Sequence, residues 1–88
     1  MERHELEVFS TASNAAVVKA PGRRFPGVVL QGDTLRSLAS LAAEVSERIG
    51  DTEDEELRDA LLELRERLGG LLSHYEAVLK EHGHSLPY

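Results

Sequence analysis

Between Ala20 and Asp33 the chain reads Ala-Pro-Gly-Arg-Arg-Phe-Pro-Gly-Val-Val-Leu-Gln-Gly-Asp, and this stretch restricts the fold more than any other. Pro21-Gly22 and Pro26-Gly27 are turn dipeptides, because proline presets φ and glycine admits the left-handed conformations that tight turns use. They bracket Arg23, Arg24 and Phe25. Val28, Val29 and Leu30 follow as a short apolar run with β-branched residues, closed by Gln31-Gly32-Asp33. A chain punctuated in this way leaves a hairpin, runs one short strand and enters a helix.

Upstream, Glu5-Leu6-Glu7-Val8-Phe9 alternates polar and apolar residues and ends on an aromatic, the pattern of a half-buried strand. Ser10 to Asn14 is rich in turn residues. Ala15 to Lys19 is a second strand candidate, and Val28 to Gln31 the third. Their short connections make an antiparallel meander over residues 5–31 the simplest arrangement. A three-stranded sheet with an apolar face needs a cover, and the helices that follow are expected to provide it.

Asp33 or Thr34 is the expected N-cap of the first helix, over 33–49. Its Leu35, Leu38, Leu41, Ala42, Val45 and Ile49 recur at three- and four-residue spacing, which defines one buried face. Gly50 suits a left-handed C-terminal cap. Thr52-Glu53-Asp54-Glu55 reads as a capping box opening a second helix over 52–82, with acids complementing the helix dipole. Within it Leu57, Leu61, Leu64, Leu68, Leu71, Tyr75 and Val78 step by four and three, a heptad seam that Leu72 and Leu79 widen. Asp54 with Arg58, and Glu63 with Arg67, are i,i+4 pairs in the favourable order. Gly69-Gly70 interrupts the pattern at a cost of roughly 2 kcal/mol in a helix interior. The seam keeps its phase across the glycines, so one long helix is expected, with a break there as the alternative. A tail, residues 83–88, trails away. The fold class is therefore α+β: a small three-stranded antiparallel meander covered by an antiparallel helical hairpin, in one domain of 88 residues.

Charge and composition exclude several functions. Residues 1–36 carry five Lys/Arg against four acids, whereas residues 37–88 carry five against twelve. Such an acidic half disfavours nucleic acid, where phosphate neutralisation supplies most affinity, and anionic membrane surfaces. Without cysteine there is neither disulfide nor thiolate metal site, and no run approaches the length of a membrane span. With no secretory pattern at the N-terminus, a cytoplasmic protein is expected.

No chemistry-bearing constellation stands out. There is no G-x-S-x-G, no G-x-x-x-x-G-K-[ST] and no G-x-G-x-x-G, and Asp33 would repel an anion near Gly32. His74, His82 and His84 lack zinc spacing, since His74 and His82 stand about 12 Å apart on a helix. No cofactor, metal or enzymatic activity is expected. Two charged features remain. Asp51, Glu53, Asp54, Glu55, Glu56 and Asp59 crowd a helix start, either as a solvated capping face or as a docking surface for a basic partner. Arg23 and Arg24, with the amides of Gly22 and Gly27, form either a solvated loop or a site for a small anion, because a guanidinium fork matches phosphate and carboxylate.

The segments Asn14-Ala-Ala-Val, Pro21-Gly-Arg-Arg-Phe-Pro-Gly and Gln31-Gly-Asp-Thr-Leu35 resemble those of a family of small uncharacterised bacterial proteins with N-x-A-V, P-G-R-x-F-P-G and Q-G-D-[ST]-L motifs. The resemblance covers residues 5 to 40 and implies no catalytic residue or cofactor. If the shared stretch is a site, it implies Asn14, Arg23, Arg24, Phe25, Gln31 and Asp33 as its polar and aromatic members. Small acidic proteins of this kind are sometimes encoded beside toxins as immunity proteins.

The functional expectation is thus a non-enzymatic acidic protein that recognises a protein partner through residues 51–59, with anion or acidic-terminus binding at the arginine loop as the alternative. A homodimer is expected as well. It would bury Leu68, Leu71, Leu72, Tyr75 and Leu79 of each chain, with Gly69 and Gly70 allowing close approach.

Overall fold

The computed structural model describes residues 2–12 and 15–88. Asn14, a motif residue, lies outside the described residues. The chain divides into two units, residues 1–31 and 32–88.

The first unit is a three-stranded antiparallel meander of β1 (Glu7–Ser10), β2 (Ala16–Lys19) and β3 (Gly27–Val29), with β2 in the centre. Glu7 stands opposite Lys19, and Val8 opposite Val18, so one pair matches opposite charges and the next matches β-branched side chains. The register then slips by one residue, placing Ser10 opposite Val17 and leaving Phe9 as a bulge. On the other side of β2, Ala16 faces Val29 and Val17 faces Val28. Among the described residues of this unit Val18 is buried, whereas Val8, Phe9, Val28 and Val29 are exposed. Strand β3 ends before Leu30, and β1 begins two residues later than the alternation predicts. Between β2 and β3 the Arg23 amide donates to the Ala20 carbonyl at 3.2 Å, with Gly22 at φ 75°. Proline at the second position and a left-handed glycine at the third define a type II turn.

The second unit is the hairpin of α1 (Gly32–Ile49) and α2 (Glu55–Glu81), which pack on each other. Helix α1 starts earlier than expected, so Asp33 is inside its first turn; its carboxylate accepts the Thr34 amide at 2.9 Å. The face of α1 turned to α2 holds buried Leu35 and Ala42 and half-buried Ala39, Ser46 and Ile49. Helix α2 is continuous through Gly69 and Gly70, and none of its 27 residues is fully buried. Its inward side is half-buried Leu61, Leu68, Leu72, Tyr75 and Leu79.

The C-terminal residues do not trail away. At the end of α2 the Gly83 amide donates to the Lys80 carbonyl at 3.1 Å and the His84 amide to that of Leu79 at 2.9 Å, with Gly83 at φ 72°. This pair of bonds is a Schellman motif, which reverses the chain at a glycine. Tyr88 then reaches α1, where the Arg36 guanidinium lies 4.7 Å from the centre of its ring. Partial burial and the neighbouring Glu76 carboxylate raise the Tyr88 pKa above its usual value near 10, while Arg36 pulls the other way.

Candidate functional site

The acidic cluster surrounds the turn between the helices. Gly50 and Thr52 donate backbone bonds to the carbonyls of Glu47 (3.4 Å) and Ile49 (2.8 Å), which carry the chain round. Gly50 does this without a positive φ, so it is not the left-handed cap its position suggested. The N-cap of α2 is Asp54, not Thr52: its carboxylate accepts the Leu57 amide at 3.1 Å. Thr52 is held in the turn by its own amide bond, and its hydroxyl accepts the Asp54 amide at 3.2 Å, short of the helix proper. The expected capping box is therefore not formed: the N-cap lies two residues later, and its N3 residue, Leu57, has no polar side chain to return the bond. Arg58 is approached by Glu55 at 4.0 Å rather than by Asp54, whose oxygen is committed to the cap, while Glu63 and Arg67 pair at 2.7 Å.

This division of labour separates the six acids. Asp54 and Glu55 organise the helix start. Asp51, Glu53, Glu56 and Asp59 are exposed and, among the described residues, enter no ion pair or side-chain hydrogen bond. The turn also encloses a notch of about 110 Å³ lined by Ser46, Ile49, Gly50, Thr52, Arg58, Leu61 and Leu62. Asp51 sits between two lining residues in the chain. The notch was not legible from sequence, because it depends on how the turn brings Ile49 beside Leu62. Its one available signal was Leu62, an apolar residue outside the heptad seam.

At the arginine loop, Arg23, Arg24 and Phe25 line one hollow of about 550 Å³ with Val18, Val28 and Val29. The Arg24 guanidinium lies 5.3 Å from the centre of the Phe25 ring, a cation–π arrangement. Neither arginine forms an ion pair among the described residues, although Glu5 and Glu7 share a second hollow with Arg23. Gly27 is a strand residue opposite Val18, and Gln31 does not line the hollow. Of the motif residues, the structure brings Arg23, Arg24 and Phe25 together and commits Asp33 to the first turn of α1.

Of the five residues expected at a dimer interface, Leu68, Leu72, Tyr75 and Leu79 are half-buried on the inward side of α2, and Leu71 is exposed. Among the described residues no three His, Asp or Glu side chains are grouped to hold a metal ion, and no helix is long and apolar enough to cross a membrane.

A three-stranded meander followed by a helical hairpin with an acidic turn places the chain among small α+β proteins. It belongs to a family of unknown function (DUF6959), whose model matches residues 1–88. No curated protein and no solved structure shows a significant match to it.

Proposed function

We propose that this protein is a non-enzymatic binding protein of the cytoplasm that recognises a basic protein partner at the hairpin turn, in the manner of an immunity or antitoxin protein. The observation that carries the reading is a largely apolar notch at a hairpin turn that also carries four exposed carboxylates, Asp51, Glu53, Glu56 and Asp59, none of them ion-paired among the described residues. Such a surface suits a partner that inserts one aliphatic side chain and surrounds it with Lys or Arg. The unpaired charges steer the encounter, and the desolvated notch supplies the affinity. The positive end of α2 does not cancel the field, because Asp54 and Glu55 already complement it. The test is co-purification with the product of the neighbouring gene, comparing wild type with Glu56→Lys/Asp59→Lys. Binding that is lost in the variant, and that slows steeply with salt in the wild type, supports the reading. Equal retrieval by both proteins at low salt sinks it.

The second reading is capture of a small anion or acidic chain terminus by Arg23 and Arg24. It is favoured by two guanidinium groups lining one hollow without carboxylate partners among the described residues. The adjacent Glu5 and Glu7 weigh against it. A phosphate or sulfate titration that raises the melting midpoint of the wild type, but not of Arg23→Ala/Arg24→Ala, would favour it.

A further inference from the structure

The two flanks of the hairpin differ in kind. Tyr88 lies against both Arg36 of α1 and Glu76 of α2, so those two flanks share one face of the helix pair. At 100° per residue the opposite flank of α1 presents Leu38, Leu41 and Val45, and the opposite flank of α2 presents Leu57, Leu64, Leu71 and Val78. In an antiparallel pair these two rows lie on the same side. The row on α2 repeats at every seventh residue over about 30 Å. All seven side chains are between 36 % and 57 % exposed.

We infer that this face is the surface on which a second copy of the chain packs, forming a symmetric four-helix bundle. Area supports this occupant. Taking roughly 170–200 Å² for a free valine or leucine, the seven expose roughly 600 Å² per copy, and a symmetric pair buries about 1,200 Å² of apolar surface, the lower edge of a stable, specific interface. The border supports it too. Glu44 with Arg48 (3.1 Å) and Glu63 with Arg67 (2.7 Å) are already paired along the border, so closing the face need not strand these four charges.

Charge also selects the orientation. A parallel pair would set two acidic turns, residues 51–59 of each copy, side by side. An antiparallel pair sends them to opposite ends and brings Leu57 toward Val78, and Leu64 toward Leu71, of the second copy. The heptad spacing suits this packing, with a small crossing angle between neighbouring helices. Gly69 and Gly70 are not part of it, because they point away from the apolar rows.

The test is sedimentation and light scattering of the full chain from 1 to about 100 μM, a range in which an interface of this class is populated. The wild type is expected to be a dimer. Leu71→Glu, at the most exposed position of the row, is expected to weaken association at least tenfold while circular dichroism stays helical. Leu62→Glu, on the opposite face and similarly exposed, is expected to leave the dimer intact. Spin labels at Asp51→Cys, in a chain without other cysteines, are expected roughly 40–50 Å apart, twice the distance from turn to mid-helix. A monomeric wild type at the highest concentration overturns the proposal. So does equal loss in Leu62→Glu and Leu71→Glu, and labels closer than about 20 Å overturn the antiparallel arrangement.

Discussion

The phenol of Tyr75 occupies the space that a Cβ on Gly32 would fill. The first residue of α1 is therefore a glycine because a residue on α2 needs the room. Gly32→Ala is expected to destabilise the hairpin by about 1–3 kcal/mol, the usual cost of overpacking, despite alanine's better helix propensity. In a Tyr75→Ala background the same change is expected to be neutral or stabilising, and the cycle of urea midpoints gives the coupling. Additive effects would mean that the two residues do not meet.

Gly69 and Gly70 present the opposite case. A Cβ at either position meets nothing within 4 Å, and neither glycine has a positive φ. Gly69→Ala with Gly70→Ala is expected to stabilise by about 1–2 kcal/mol through helix propensity alone. For a domain of this size that corresponds to a rise in melting temperature of about 5–10 °C. An unchanged or lower midpoint would show that the glycines serve the folded chain in some other way.

The position of the cap can be tested by contrast. Asp54→Ala removes the acceptor for the Leu57 amide and is expected to cost about 0.5–2 kcal/mol. Thr52→Ala removes a turn bond outside the helix and is expected to cost less, about half a kcal/mol. A reversed ranking in thermal melts would return the cap to Thr52.

Tyr88 reports on the returning C-terminal residues. Its pKa is raised, so the folded state holds the phenolic proton more tightly than the unfolded state does. This contribution to stability is fully present below the ordinary value near 10 and is lost as pH rises through the shifted value. Ultraviolet titration should show one tyrosine ionising above that value, and Tyr88→Phe should remove it. Glu76→Gln should lower the midpoint and Arg36→Ala should raise it. A midpoint indifferent to both substitutions would mean that Tyr88 does not dock against Arg36 and Glu76.

The order of elements was readable because each carries its own period: two in β1, three and four in α1 and α2, with Pro21-Gly22 marking a type II turn. The candidate site was readable only in part. The acids at 51–59 are visible in any reading of charge, but which of them are occupied depends on the path of the turn. The bond from Thr52 to Ile49 keeps Thr52 in the turn, and the cap falls to Asp54. The leucine seam was equally visible, yet its residues alternate between the inward side and the open flank. Spacing alone does not say which row meets α1; a contact such as Tyr75 with Gly32 decides it. The reversal at Gly83 carried a usable signal, a glycine directly after the helix, but its outcome depends on Tyr88 finding Arg36.

The bulge at Phe9 has a consequence for solubility. A three-stranded sheet has two open edges, and an uninterrupted edge of valines and phenylalanine is a template for adding further strands. In β1 the extra residue breaks the regular spacing of free amides and carbonyls. At the other edge β3 is three residues long and follows Pro26, which has no amide to offer. Both edges are thus short or irregular, which disfavours the addition of further strands. Restoring a regular β1 by deleting Phe9 is expected to raise thioflavin-positive aggregation above that of the wild type.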